Sequence, residues 1–226
     1  LFERVNGGSR TSVLVDTSPD FREQILSVRL MALDGVLYTH DHADHTHGID
    51  DLRMVSFAMK RRIDVYFDPV TGKSLKERFA YCFKTPDGSN YSPILNGHEI
   101  DGISPISFRG GGGTLTATPI RQTHGDITSL GYRVSNLAYS PDISAIPEAA
   151  LPLLQNLDVW VVDALRYTPH ESHFSVKDVL HWVERLKPKR TVLTHMGTDM
   201  DWAWMRANLP AGVEPGFDGQ VLEVRG

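Results

Sequence analysis

Thr39-His40-Asp41-His42-Ala43-Asp44-His45 decides how this chain is read. His40, His42, Asp44 and His45 offer four metal-binding side chains within six positions, directly after the apolar run Val36-Leu37-Tyr38. A short apolar run bounded by polar residues reads as a buried strand. The cluster therefore falls on a loop at a strand end, ahead of a helix expected from Gly48 or Ile49 to about Met59. Ligand sites of α/β sheets gather at the carboxyl ends of strands. Imidazoles and a carboxylate in that place suit zinc or a similar first-row divalent ion.

Working outward, Ser12–Asp16 reads as a strand. Thr17-Ser18-Pro19-Asp20 reads as a cap with proline in the first turn, expected to open a helix to about Leu26. After the loop and its helix come a strand at Asp64–Phe67, a helix from Pro69 to Tyr81, and a Pro/Gly/Ser/Asn-rich loop over 84–97 that could form a lid or wall. Strands are expected near Ile103–Phe108 and Leu115–Thr118, joined by the glycines of 110–113. That run lacks the lysine and hydroxyl of a phosphate loop and reads as a hairpin connection. A hairpin around Ser135-Asn136, a helix over Pro147–Leu157 and a strand at Val159–Val162 follow. Val176, Val179, Leu180 and Val183 make one apolar face of a helix over Ser175–Leu186. The pattern closes with a strand at Thr191–Thr194, a helix at Asp201–Leu209 and a strand at Val221–Val224. Strands and helices alternate with no separating linker, so a single α/β domain with two sheets is expected over residues 1–226, its first strand read as incomplete.

The 226 residues suffice for a substantial core, and 41% hydrophobic with 23% charged residues is ordinary for a globular protein. The net charge of −5 disfavours non-specific nucleic-acid binding. Cys82 is the only cysteine, which rules out an intrachain disulfide and fits a reducing, cytoplasmic setting. No run approaches the ~20 apolar residues of a membrane span, and none reads as a signal peptide.

Three further metal-binding side chains follow expected strands: His124 in Gln122-Thr123-His124-Gly125, Asp142 in Tyr139-Ser140-Pro141-Asp142, and His195 in Leu193-Thr194-His195. Asp163, ending Val161-Val162-Asp163, competes with Asp142. The order His40-x-His42-x-Asp44-His45, then His124, Asp142 and His195, resembles the metallo-β-lactamase superfamily over nearly the whole chain. The resemblance implies a four-layer αβ/βα sandwich holding two divalent ions (Zn2+ or Mn2+) at the sheet edges. It assigns His40, His42 and His124 to one ion, Asp44, His45 and His195 to the other, and Asp142 as the bridge. Cys82 stands at no ligand position of the lactam-cleaving members.

Within the superfamily the phosphodiesterase branch is most similar, near the phosphoribosyl cyclic phosphodiesterases and ribonuclease Z. His173, in Ser172-His173-Phe174-Ser175, matches their extra histidine, and Asp163 matches the acid that orients it. The implied function is hydrolysis of a small cyclic or nucleotide-like phosphodiester by a hydroxide shared between the ions. His173 would be the general acid, Asp163 its partner, and Asp44 would help orient the nucleophile. Alternatives are a glyoxalase II-type thioester hydrolase and a tRNA 3′-processing ribonuclease. The expected partner is a small substrate, with no membrane, nucleic acid disfavoured, and a homodimer left open. No cysteines match the structural zinc site of the cyclic phosphodiesterases. Asp41, Asp50 and Asp126 are candidate orienting carboxylates, and Arg166 and Tyr167 candidate substrate contacts. His47, His98, His170 and His181 are read as non-ligands, and Trp202 and Trp204 as packing residues.

Overall fold

Runs of β-branched and aromatic residues set the strands, and they divide between two compact units, Leu1–Thr116 and Ala117 to the C-terminus. The computed structural model describes residues 1–224. In the first unit, β1 (Phe2–Asn6) and β2 (Ser9–Val15) form an antiparallel pair, and α1 spans Phe21–Ser27. Parallel pairings then add β3 (Gly35–Leu37), β4 (Ile63–Phe67) and β5 (Leu95–Glu99), in the order β1-β2-β3-β4-β5. Between them lie α2 (Ala43–Thr46), α3 (Leu52–Met59), α4 (Pro69–Arg78) and α5 (Ala80–Phe83). Phe21 and Ile25 of α1, Leu52 and Val55 of α3 and Leu75 of α4 pack with Val36, Ile63, Val65 and Phe67 of the sheet. Asp68 caps α4 by accepting from Thr71 N at 2.8 Å, with Pro69 in the first turn.

Strand β6 (Ile106–Gly110) turns through Gly111-Gly112 into β7 (Gly113–His124). A Cβ on Gly112 would lie 2.0 Å from the Arg4 carbonyl, so the turn requires glycine there. Strands β8 (Ile127–Val134) and β9 (Leu137–Ser140) continue the antiparallel run, and β10 (Val159–Asp163) pairs parallel to β9. Helix α6 (Val176–Leu186), β11 (Arg190–Thr194), α7 (Trp202–Asn208) and β12 (Val213–Pro215) complete the second unit. The sheet order is β12-β11-β10-β9-β8-β7-β6. Its core joins Trp160, Val162 and Leu193 of the sheet to Val176 and Val179 of α6 and to Met205 of α7. Ser175 and Asp178 form a reciprocal capping box at the start of α6.

Several expectations change. The helix expected from Gly48 or Ile49 to about Met59 opens as a 3-10 turn at Ile49–Asp51 before α3, and the loop ahead of it holds the extra turn α2. The helix expected at Pro147–Leu157 is a 3-10 segment over Glu148–Leu154, where Pro152 supplies no N–H for an α turn. The strand expected from Ile103 begins at Ile106, because Asp101 accepts from the N–H groups of Ile103 and Ser104 and makes a turn. The end of the 84–97 loop is β5, drawn into the sheet by pairing with β4. Residues 221–224 form no strand, since the place beside β11 is taken by Val213–Pro215. No helix among the described residues is long and apolar enough to cross a membrane.

Candidate metal centre

In the first unit, strand ends and one tight turn gather the histidines. Strand β3 stops at Leu37, and the next backbone N–H groups are captured from neighbouring strands: Tyr38 N by Tyr66 O, and Thr39 N by the Asp16 carboxylate at 2.8 Å. The chain then makes the single turn α2, with the His42 carbonyl accepting from His45 N at 3.2 Å and from Thr46 Oγ1 at 2.8 Å. The result gathers the imidazoles, His40–His42 edge to face at 4.5 Å and His40–His45 tilted at 4.3 Å between ring centroids. Asp44 Oδ2 stands 3.4 Å from His45 Nε2, so carboxylate and imidazole present their lone pairs to one place.

Asp16 orients this group, and the sequence reading did not include it. Its Oδ2 accepts from His45 Nδ1 at 2.7 Å and from Thr39 Oγ1 at 2.8 Å. With Nδ1 as donor, His45 exposes Nε2 as its ligating nitrogen. Asp16 also holds φ at +57°, a conformation that aspartate tolerates better than most residues. The signal was in the sequence: Val13-Leu14-Val15-Asp16 has the same form as Val161-Val162-Asp163. The proposed carboxylates act elsewhere. Asp41 accepts from Arg78 at 3.0 Å, and Asp50 pairs with Arg53 at 2.9 Å. Asp126 has no described hydrogen bond to a histidine.

In the second unit, three adjacent parallel strands, β9, β10 and β11, deliver Asp142, Asp163 and His195 to their carboxyl ends. Asp142 is buried and splits its two oxygens: Oδ2 lies 3.6 Å from His124 Nε2, and Oδ1 lies 3.7 Å from His195 Nε2. His124 donates from Nδ1 to the Ser172 carbonyl at 2.6 Å, which leaves Nε2 as the lone-pair nitrogen. Gly125, at φ +55°, allows that approach, since even a Cβ there would reach 3.0 Å from the Ser172 side chain. His195 sits at φ +56°, a non-glycine left-handed residue at a strand end of the kind found at functional sites.

His173 forms the other half of this arrangement. Its Nδ1 lies 2.8 Å from Asp163 Oδ2, its Nε2 is 4.0 Å from Asp142 Oδ2, and its ring stacks on His195 at 5.0 Å. Asp163 is fully buried and also accepts from Ile143 N at 3.1 Å. Burial pushes the Asp163 carboxyl above its ordinary range, against the lowering effect of the bond to His173. Such a carboxylate fixes the imidazole tautomer, with Nδ1 as the donor.

Other singled-out residues have different duties. Arg166 donates to the carbonyls of Thr168 and Pro169, and so holds its own loop. His98 bonds Asp64, His47 packs on Phe79, and Cys82 is buried with its Sγ 3.8 Å from Asp50. Trp202 and Trp204 are half-exposed rather than packed inside. Within each unit, the donor set is imidazole nitrogen plus carboxylate oxygen, with orienting acceptors behind the imidazoles. This fits a divalent cation of the zinc type.

The family model of the beta-lactamase superfamily domain matches residues 11–196, and the chain belongs to that superfamily. Its two mixed sheets with their helices are those of the metallo-β-lactamase fold, and the donor chemistry is that of a metal-dependent hydrolase. More particularly, the chain is similar to a solved diphosphatase of the PhnP family, at 34% identity and a TM-score of 0.84, covering 95% of this chain and 79% of that one. It shares its fold with the short form of human tRNase Z, at 17% identity and a TM-score of 0.67, covering 99% of this chain and 91% of the other. It is also 29% identical over 209 residues to an octanoyltransferase of Porphyromonas gingivalis (strain ATCC BAA-308 / W83), covering 92% of this chain. The chain spans 41% of the length of that curated relative.

Proposed function

We propose that the two units are halves of one hydrolase domain, a dinuclear metal-dependent phosphodiesterase acting on a small cyclic or nucleotide-like phosphodiester. His40, His42 and His124 would hold one ion, Asp44, His45 and His195 the other, and Asp142 would bridge them. The divided carboxylate of Asp142, with one oxygen toward His124 and the other toward His195, supports that bridge. Two divalent ions, zinc or manganese, would supply Lewis acidity toward phosphoryl oxygens and a lowered pKa for water.

The observation that carries the reading is the Asp163–His173 pair. Cleavage of a phosphodiester leaves an alkoxide that must take up a proton. An imidazolium whose Nδ1–H is held by a buried carboxylate presents Nε2–H as the donor, and His173 has that arrangement. Its Nε2 is directed toward the same carboxylate that His124 and His195 face. Asp44 is exposed beside His45 and would orient the attacking water as well as bind metal. A relative named a diphosphatase at 34% identity also favours hydrolysis at phosphorus. The single cysteine, buried and free, suits a cytoplasmic setting.

The test is turnover of adenosine 2′,3′-cyclic phosphate, whose leaving group is an alkoxide, by zinc- or manganese-loaded protein, with His173→Ala alongside and the metal content of both measured. The variant should lose about 10²–10⁴-fold in rate, the usual contribution of a positioned acid, with metal content unchanged. Full turnover in a fully loaded variant removes His173 as the acid. A second reading is thioester hydrolysis of the glyoxalase II type, for which the same ligand set would serve. A thiolate leaves without a proton, so glutathione thioesters would be hydrolysed with or without His173.

A further inference from the structure

The segment after β10 ties the candidate acid to an aromatic pair that the reaction described above does not use. Leu165 N donates to Phe174 O at 3.0 Å, next to His173, and Gly197 N, two residues past His195, donates to Leu165 O at 2.8 Å. Val176 N donates to Arg166 O at 3.0 Å, extending the same parallel pairing. Arg166 then fastens the following turn by its bonds to the Thr168 and Pro169 carbonyls. Tyr167 is thus held on a braced backbone beside the His173 segment. Its ring meets that of Trp204 edge to face, at 5.5 Å and 87°. Trp204 is placed in turn by α7, which is capped by Asp201 and anchored by the buried Met205.

Both rings remain open, Tyr167 at 36% and Trp204 at 54% exposure. At roughly 200 Å² per aromatic side chain, the exposed pair amounts to about 200 Å². That is well short of the ~800 Å² a side of a stable protein interface. It is instead the area of one planar ring laid on another. Tyr167 directly follows Arg166, which pairs with Ser175, and so lies at most about 10 Å of extended chain beyond the level of His173. A sugar spans such an interval between a phosphate and its base.

We propose that Tyr167 and Trp204 form a stacking platform for the aromatic base of a nucleoside phosphodiester whose phosphate lies at the Asp142–His173 centre. This rests on the phosphodiesterase reading and narrows its substrate to a base-bearing one. Tyr167 and Trp204 act in specificity, and the chemistry stays with His173 and the metal-binding residues.

The experiment pairs two substrates, adenosine 2′,3′-cyclic phosphate and the base-free ribose 1,2-cyclic phosphate, with direct binding of AMP to the metal-loaded protein by equilibrium dialysis. Trp204→Ala and Tyr167→Ala should each raise KM for the adenosine substrate and weaken AMP binding by about 5- to 150-fold, the value of one base–aromatic stack. Turnover of the base-free substrate should be unchanged. Trp204→Phe should recover most of the loss, which separates stacking from misfolding. Trp202→Ala, on the same helix but packed toward Phe217, should change neither. Equal effects on both substrates, or AMP affinity indifferent to Trp204→Ala, would overturn the platform. If the wild type cleaves neither substrate while AMP binding still depends on Trp204, the platform stands and the phosphodiester reading falls.

Discussion

Replacing Asp16 by asparagine tests whether metal binding depends on a residue that touches no metal. The aspartate accepts three hydrogen bonds in a buried setting: Thr39 N at Oδ1, and Thr39 Oγ1 with His45 Nδ1 at Oδ2, all between 2.7 and 2.8 Å. An amide keeps one oxygen. With its NH2 at the Oδ2 position, it opposes two donors, and His45 must move its proton to Nε2, the nitrogen needed for a metal. With its NH2 at the Oδ1 position, it opposes the Thr39 N–H instead. Either orientation forfeits at least one buried hydrogen bond to a charged acceptor, about 1.5–3 kcal/mol. Asparagine tolerates the φ of +57° as aspartate does, whereas alanine would add roughly 1–2 kcal/mol of backbone strain. Metal affinity should therefore fall about 10–100-fold in Asp16→Asn, the usual effect of losing an orienting partner. Competition against a chromophoric chelator would measure it, with circular dichroism confirming the fold. Wild-type zinc affinity in a folded Asp16→Asn protein would refute the orienting role.

Three other perturbations have defined outcomes. Arg78 donates to the Asp41 carbonyl at 2.7 Å and to its carboxylate at 3.0 Å, clamping the loop between His40 and His42. Arg78→Ala should weaken metal binding several-fold in the same titration while barely changing the urea midpoint, because both groups are partly exposed. A Cβ on Gly48 would fall 2.0 Å from the Ser18 carbonyl and 2.8 Å from Phe21 Cβ. Gly48→Ala should thus cost about 1–3 kcal/mol or more of stability, read from urea unfolding. Burial, and then the charge of Asp50, push the Cys82 thiol up to about 12, while an unfolded cysteine ionises near ~8.5. The folded state then keeps a proton that the unfolded state loses. Stability is unaffected by this group below about pH 8.5 and falls above it, by up to about 1.4 kcal/mol per pH unit until the folded thiol ionises. Cys82→Ala should flatten that decline in urea midpoints measured from pH 8 to 10.

Most of the strands and helices were legible because each carries its own signal: apolar runs at Val36–Tyr38 and Val159–Val162, the 3.6-residue stripe of α6, and the Ser175 cap. The donor residues were legible for the same reason. Imidazole and carboxylate have no role inside an apolar strand, so their recurrence at strand ends marks them. Errors arose where a local pattern lacked a partner or met a competing one. Val221–Val224 alternates like a strand, but β12 already lies beside β11. Leu95–Glu99 looked like loop until β4 supplied its ladder.

The candidate donor residues, their order along the chain, and an acid placed to pair with His173 were thus legible in the sequence. Only the tertiary structure decided which acceptors orient His45 and His124. Asp16 serves His45 across 29 residues, and the Ser172 carbonyl serves His124 across 48. It alone also set Tyr167 against Trp204. Such pairings depend on which strands lie side by side and in what register. Those choices are made by long-range packing of the whole core, and no local propensity encodes them.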